Sequence, residues 1–140
     1  MNVFIGGSAA PGGSSKIVTA NDLTLRTIND VAEHILNTIT LTADGVHPVL
    51  FFLSVSVRYN VVGAGIHLVL DEGGVVLLPG NIAAGADCCV RQTTEAELCT
   101  LVGVLTPTAG SHTYGLRVGE AVLPGTALIY STVITAEVLS

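Results

Sequence analysis

The fold is decided by the stretch PVLFFLSVSVRY, residues 48–59. Successive side chains of a β-strand point to opposite faces, so alternate residues share a face. One face begins with Leu50 and Phe52 and then becomes polar. The other face is apolar or aromatic throughout and carries Val49, Phe51, Leu53, Val55, Val57 and Tyr59. This pattern predicts a sandwich strand that is buried on both faces at one end and solvated on one face at the other.

Strand-like segments continue on both sides of this stretch, separated by turns rich in glycine and proline. From residue 37 onwards, about eight of them recur at intervals of roughly eight to fifteen residues. Residues 27–36 are ambiguous, because Asn29 or Asp30 could cap one short helix while the threonine and isoleucine residues favour a strand. The expected fold is therefore all-β, a single jelly-roll β-sandwich of about eight antiparallel strands.

The first 25 residues differ in composition from the rest of the chain. We expect residues 1–25 to form an extended N-terminal arm and residues 26–140 to form the jelly-roll domain. A segment of glycine, serine, alanine and proline, residues 6–15, separates two apolar patches. A disordered terminus is the alternative, but apolar side chains are costly to leave in water, which favours docking on a neighbouring subunit. The residues expected to bind that partner are Val3, Phe4, Ile5, Ile17 and Val18.

The composition predicts assembly. Charged residues make up only 11% of the sequence, against about 25% in typical soluble domains. Hydrophobic residues make up 49%. A small monomer of this composition would expose contiguous apolar patches, so we expect partner subunits to cover much of the surface.

Membranes and nucleic acids are not expected partners. A spanning helix needs about 20 consecutive apolar residues, and no apolar stretch approaches that length. No cationic segment precedes an apolar run at the N-terminus, so we expect a soluble chain without a secretion signal. The net charge is −6, and the five basic residues are spread along the chain instead of forming a phosphate-neutralising patch.

Residues that could carry chemistry are dispersed. The three cysteines, Cys88, Cys89 and Cys99, cannot all be paired within one chain. We expect them to be small buried apolar residues in a reducing cytoplasm, although a hairpin could bring Cys99 opposite one of the other two. None of the histidines belongs to a metal-binding motif; they are His34, His47, His67 and His112. We therefore expect a non-enzymatic protein with no catalytic residues, no cofactor and no metal.

One segment has a familiar pattern. Residues 105–118, LTPTAGSHTYGLRV, resemble a hairpin of jelly-roll modules of the tumour necrosis factor and complement globular-head type, which phage structural proteins also use in decorations and fibres. Residues 127–138 are similar to the last strand of these modules, and the likeness covers roughly residues 38–140. The resemblance implies a homotrimer around a threefold axis. Residues expected to pack in the trimer are Tyr114, Leu116, Tyr130 and Thr132.

These observations together predict a virion structural protein. The leading hypothesis is a trimeric capsid decoration or cement protein on the virion surface, assembled in the host cytoplasm and bound to the major capsid protein or other virion subunits. The alternative is a phage tail- or head-fibre tip that binds a host receptor or glycan. A small metal-dependent jelly-roll enzyme is a third possibility, which the dispersed histidines disfavour.

Overall fold

The computed structural model describes residues 2–7, 16–30, 32–60, 65–78, 86–89, 95–120 and 126–140. Regular structure within these ranges is entirely β, with eleven strands. These ranges contain no helix long and apolar enough to cross a membrane. The strands are β1 (Asn2–Gly7), β2 (Lys16–Asp22), β3 (Arg26–Ile28), β4 (His34–Ala43), β5 (Val49–Tyr59), β6 (Gly65–Glu72), β7 (Val75–Leu78), β8 (Ala86–Cys89), β9 (Glu97–Leu105), β10 (Gly110–Glu120) and β11 (Ala127–Val138).

Two antiparallel sheets form the sandwich. The first sheet has the order β1-β2-β11-β5-β9, and β3 also pairs with β11. The second has the order β4-β10-β6-β7, and β8 also pairs with β6. The chain crosses between the sheets after β3, β4, β5, β8, β9 and β10, which is the connectivity of a jelly roll. The predicted all-β jelly roll is confirmed, and its eight expected strands correspond to β4 through β11.

The ambiguous stretch before residue 37 contains no helix in its described part. Arg26–Ile28 forms β3, and β4 begins at His34. The bend between them holds Asp30, whose carboxylate accepts a hydrogen bond from the backbone N–H of Ala32 at 3.1 Å. Asp30 therefore closes a short turn between two strands instead of capping a helix.

The core lies between the sheets and is built from alternate residues. The inward face of β5, six side chains as predicted, is fully buried. Aromatic rings meet across the sandwich, since Phe51 of β5 and Tyr114 of β10 lie edge to face with centroids 4.7 Å apart. Burial of each large apolar side chain is worth roughly 1.5–3 kcal/mol. The two-residue period of the sequence thus places the apolar side chains between the two sheets.

A β-bulge places one polar side chain in this core. The register of β4 against β10 shifts by one residue beside Asn37, so that Leu36 and Asn37 are both buried. The Asn37 amide nitrogen donates toward the Ala20 carbonyl at 3.1 Å and lies 3.2 Å from the Thr132 hydroxyl oxygen. Its amide oxygen accepts the backbone N–H of Thr38 at 2.9 Å. A strand of the second sheet is thereby hydrogen-bonded to two strands of the first.

Part of the expected arm is a strand of the sandwich. β2 pairs with β11, with Ala20 opposite Ile134, and both Val18 and Ala20 are buried in the core. β1 pairs with β2 as an additional antiparallel strand. Residues 8–15 lie outside the described residues. The segment expected to form an arm, residues 1–25, thus includes a strand that pairs within its own chain. The division into arm and domain stays a prediction.

Candidate functional site

Titratable side chains are dispersed over the described part of the sandwich. No group of three or more histidine, cysteine, aspartate or glutamate side chains that could hold a metal ion is found there. Two histidines contact nearby surface carboxylates, namely His34 with Asp30 and His47 with Asp44. Such exposed pairs contribute little to stability. The expectation that the chain is not an enzyme is not tested by this distribution.

His112 is the histidine with the most developed surroundings. Its Nδ1 lies 2.7 Å from a carboxylate oxygen of Glu72, and its Nε2 lies 2.8 Å from the carbonyl oxygen of Thr108. Both partners are acceptors, so both ring nitrogens must carry hydrogen for the two bonds to form together. The Thr108 carbonyl first, and then Glu72, raise the pKa of His112. The charged imidazolium is therefore the form that this arrangement stabilises.

The His112 ring also stacks on Tyr114, with centroids 5.8 Å apart and planes 13° apart. Burial, together with the Glu72 charge, raises the pKa of Tyr114 to about 12. A general base needs a ring nitrogen with a free lone pair, and both nitrogens of His112 are engaged. The cluster of His112, Glu72 and Thr108, which we call the His112 clasp, connects β10, β6 and the loop before β10, and its evident role is structural.

A second feature is an exposed apolar cluster on the outside of the first sheet, which we call the apolar face. Its five residues, with the exposed fraction of each, are Phe52 (39%), Leu98 (67%), Val102 (58%), Val104 (51%) and Tyr130 (37%). They come from β5, β9 and β11, which are neighbours in that sheet. Contiguous exposed apolar surface on a small protein marks an interaction site.

Cross-strand register joins side chains of β5 and β9 at one end of the apolar face. Val102 lies opposite Phe52, and Val104 lies opposite the half-buried Leu50. Leu98 and Thr100 continue the same outward row of β9, so this row carries no charged side chain. Subunit interfaces are depleted of charge at their centre in the same way. The surface is therefore suited to burial against another protein surface.

A third feature is a surface depression of about 460 Å³, lined by Arg58, Asn60, Thr126 and Leu128. We call it the Arg58 depression. Arg58 and Leu128 lie opposite each other at the end of β5 and the start of β11. The backbone N–H of Thr126 donates to Oδ1 of Asn60 at 2.8 Å, and the backbone N–H of Asn60 donates to the Thr126 carbonyl at 3.3 Å. These two bonds fix one wall of the depression.

Arg58 differs from the other arginines that the structure describes. Arg26 pairs with Asp22 at 2.8 Å, and Arg117 pairs with the buried Asp71 at 3.0 Å. No hydrogen bond or ion pair to the Arg58 side chain is formed within the described ranges. Arg58 is half-buried as a residue, and its guanidinium carries five donors. Its donors are therefore available to a group from outside the described part of the chain.

Comparison with protein-family models and with curated proteins gives no match. Solved structures do match in fold. The VP2 subviral particle of infectious bursal disease virus superposes with a TM-score of 0.53 at 9% identity, over 95% of this chain and 41% of that one. Particles of T=1 symmetry derived from the same virus give 0.55 at 10% identity, over 95% and 40%. Dimeric latent PorU of Porphyromonas gingivalis gives 0.55 at 8% identity, over 99% and 14%.

The chain is a jelly-roll β-sandwich. It spans less than half of the length of each of these proteins. At such low identity the likeness establishes the fold alone, and the finer resemblance to tumour necrosis factor and complement modules stays a prediction. Function has to be argued from the surfaces of this chain.

The residues expected to bind a partner through the arm differ in burial and lie on two strands. Val18 is buried within its own chain and Ile17 is half-buried, both on β2. Val3, Phe4 and Ile5 lie on β1, and their side chains are outside the described part of the structure. Val18 is thus not available to a neighbouring subunit, because its side chain already fills the core. A partner-binding role for the other four stays a prediction.

The residues expected at the trimer interface are also separated. Tyr114, Leu116 and Thr132 are at most 2% exposed and fill this chain's own core, so their side chains cannot pack against another subunit without opening the sandwich. Tyr130 lies on the apolar face and stays a candidate. The sequence pattern alone does not say which side of a strand faces a partner, and the bulge between Ile129 and Ser131 breaks the alternation that would put Tyr130 and Thr132 on one side of β11.

Sequence reasoning missed the outward row of β9. The signal was present, since residues 98–105 are apolar at both odd and even positions. A strand with one solvated face should alternate with polar residues. Cys99 and Leu101 supply the buried side of β9, while the outward side is exposed. Cys99 is buried as expected, and the side chains of Cys88 and Cys89 lie outside the described residues.

Proposed function

We propose that this chain is a structural subunit of a virus or phage particle, a homotrimeric decoration or cement protein on the capsid surface. The observation that carries the proposal is the apolar face. A sandwich uses its inner faces for its own core, so an apolar outer face has no use within the isolated chain. A partner subunit that covered Leu98, Val102 and Val104 would remove their exposed surface from water, worth about 25 cal/mol per Å².

The sparse charge supports the same proposal. Charged residues are only 11% of the chain, and the outward row of β9 has none of them. Interface centres are depleted of charged residues and enriched in aromatic ones. The apolar face meets the first condition through the outward row of β9, and it meets the second through Phe52 and Tyr130.

The fold is compatible with this role but does not assign it. Infectious bursal disease virus VP2, a particle-forming protein, has a similar sandwich, and so does PorU, which is described as a dimer. Repeated subunits commonly associate through the same surface patch on each copy. The apolar face, and not the fold, therefore carries the proposal.

The trimer follows from the sequence resemblance, and the attachment to the particle follows from the apolar N-terminal segment. Modules of the tumour necrosis factor and complement type pack around a threefold axis, and Tyr130 would contribute to that packing. Residues 1–7 would add strand or apolar contacts to the major capsid protein or to another virion subunit. The protein would act at the virion surface after assembly in the host cytoplasm, without a cofactor and without enzymatic activity.

Light scattering of the purified full chain at micromolar concentration tests the proposal. We expect the mass of three copies, and a monomer would contradict the proposal. Deletion of residues 1–15 is the second arm of the experiment. Because the apolar face lies outside that segment, the shortened chain should remain trimeric while its binding to capsids weakens. Loss of the trimer on deletion would place the subunit contact in the arm instead.

A second candidate function is a fibre tip that binds a host receptor or glycan. The Arg58 depression favours it, because a concave site with an available cation is a recognition feature that a purely structural subunit does not need. A glycan array probed with the full chain tests this candidate: binding of a glycan supports the receptor role, and binding of none of the glycans contradicts it.

A further inference from the structure

We infer that the Arg58 depression binds a carboxylated monosaccharide through its carboxylate. The inference specifies the ligand class of the site that favours the fibre-tip candidate, and it does not depend on the proposed assembly role. Three kinds of observation carry the inference: the donors that line the depression, the charge balance around Arg58, and the size and apolar wall of the space.

The donors come first. Asn60 Oδ1 already accepts the backbone N–H of Thr126 at 2.8 Å, which fixes the orientation of the amide and leaves its NH₂ group as a donor. Arg58 and Thr126 are the other polar residues of the lining within the described ranges. The Arg58 guanidinium and the Asn60 NH₂ group only donate, so they favour a group that accepts hydrogen bonds. A carboxylate is such a group, and a guanidinium binds it in a planar, two-pronged arrangement.

The charge balance points the same way. The chain carries a net charge of −6 with only five basic residues. Arg26 and Arg117 are neutralised by carboxylates of their own chain, whereas Arg58 has no such partner within the described ranges. Arg58 is half-buried as a residue, and a bound anion would supply the counterion that the described part of the chain does not. An anion that binds here satisfies both its own charge and that of Arg58.

Size and shape distinguish an organic acid from an inorganic ion. The depression measures about 460 Å³, which falls within the roughly 300–1,000 Å³ of small-molecule sites. One wall is the apolar side chain of Leu128, across from Arg58. The carbon-bound hydrogens of a sugar ring can pack on Leu128 while a carboxylate on that ring reaches Arg58. Inorganic phosphate or sulfate would leave the apolar wall uncovered.

The test is calorimetric titration of the full chain with glucuronate, galacturonate and N-acetylneuraminate. Glucose and the methyl ester of glucuronate serve as neutral counterparts, and sodium sulfate as the inorganic anion. We expect an acidic sugar to bind more tightly than its neutral counterpart and than sulfate. Hydrogen bonds to a charged group are worth about 1.5–3 kcal/mol, so losing the carboxylate should weaken binding about tenfold or more.

Arg58→Gln and Lys16→Gln form a matched pair of variants. Each removes one positive charge, but Lys16 is an exposed residue at the start of β2. We expect Arg58→Gln to weaken acidic-sugar binding about tenfold or more, and Lys16→Gln to leave it within about twofold. Circular dichroism and light scattering on the same samples establish that both variants keep the fold and the oligomeric state.

Three results would overturn the inference. The first is no binding of any of the three acidic sugars, and the second is binding that Arg58→Gln leaves unchanged. The third is that Arg58→Gln, but not Lys16→Gln, lowers the oligomeric state while no sugar binds, because Arg58 would then pair with a carboxylate of a second copy. A monomeric chain that still binds an acidic sugar through Arg58 would contradict the assembly proposal and leave this site intact.

Discussion

The amide nitrogen of Asn37 lies 3.2 Å from the hydroxyl oxygen of Thr132, and this contact joins the two sheets of the sandwich. Asn37 belongs to β4 of the second sheet and Thr132 to β11 of the first. Both side chains are buried. The same nitrogen also lies 3.3 Å from the Thr132 carbonyl and 3.1 Å from that of Ala20. A buried amide with this set of partners fixes how β4 sits against the first sheet.

Asn37→Ala should therefore destabilise the protein. The substitution leaves buried acceptors without this donor, which costs about 1–3 kcal/mol in the free energy of unfolding. Urea denaturation followed by circular dichroism measures the loss. Thr40→Ala is the control, because it removes an exposed hydroxyl pair with Thr113 from the same strand and should stay within about 0.5 kcal/mol. Equal losses for the two variants would mean that Asn37 does not hold the sheets together.

Much of the fold could be predicted because burial follows the alternation of residues. The inward side of β5 is apolar without interruption, and β11 buries alternate residues from Thr132 onwards, namely Thr132, Ile134 and Ala136. A strand with one consistently apolar side has one way to face a core. Glycine and proline turns then separate the strands, so both their number and the sandwich follow from local sequence.

The rest could not be predicted because it depends on register and on which strands become neighbours. Leu36 and Asn37 are consecutive and both buried, which alternation alone forbids and a bulge allows. The apolar face exists because β9 lies beside β5, and no local pattern reveals that pairing. The Arg58 depression likewise joins residues 58–60 to residues 126–128, a contact between distant parts of the chain.

The His112 clasp should make stability depend on pH. Its hydrogen bonds to Thr108 and Glu72 raise the pKa of His112 in the folded protein. The clasp therefore contributes fully below the unfolded value of about 6.5 and is lost as pH rises through the raised folded value. We expect His112→Gln to lower the free energy of unfolding at about pH 5.5 and to lower it less at about pH 9. Denaturation curves across that range provide the measurement.

Glu72→Gln separates the two contacts of the clasp. It keeps a carbonyl oxygen beside His112 but removes the negative charge, while the Thr108 carbonyl remains. The pKa of His112, followed by NMR titration, should fall relative to the unchanged chain and should stay above its ordinary value. A His112 pKa at or below the ordinary value in the unchanged chain would contradict the clasp.

Two glycines in left-handed turns should respond differently to alanine. Gly45 has a φ of 82° and Gly73 a φ of 60°, so either substitution carries a backbone cost of about 1–2 kcal/mol. A Cβ at Gly45 would also lie 2.9 Å from the backbone nitrogen of Ala109, whereas nothing lies within 4 Å of one at Gly73. We expect Gly45→Ala to lower the free energy of unfolding by about 1–3 kcal/mol more than Gly73→Ala. An equal loss of unfolding free energy in the two variants would contradict this, and it would show that the loop containing Ala109 moves aside without a measurable cost.

Val102→Asp should dissociate the assembly without unfolding the chain. Val102 is 58% exposed on the apolar face, opposite Phe52, so the monomer tolerates the carboxylate while a subunit interface would have to desolvate it, at a cost of several kcal/mol. Thr40→Asp places the same charge on an exposed residue on the outer face of the second sheet and should leave the oligomer intact. Sedimentation velocity at micromolar concentration distinguishes the species. If Thr40→Asp dissociates the oligomer and Val102→Asp does not, the subunits meet through the second sheet instead, and the apolar face has another partner.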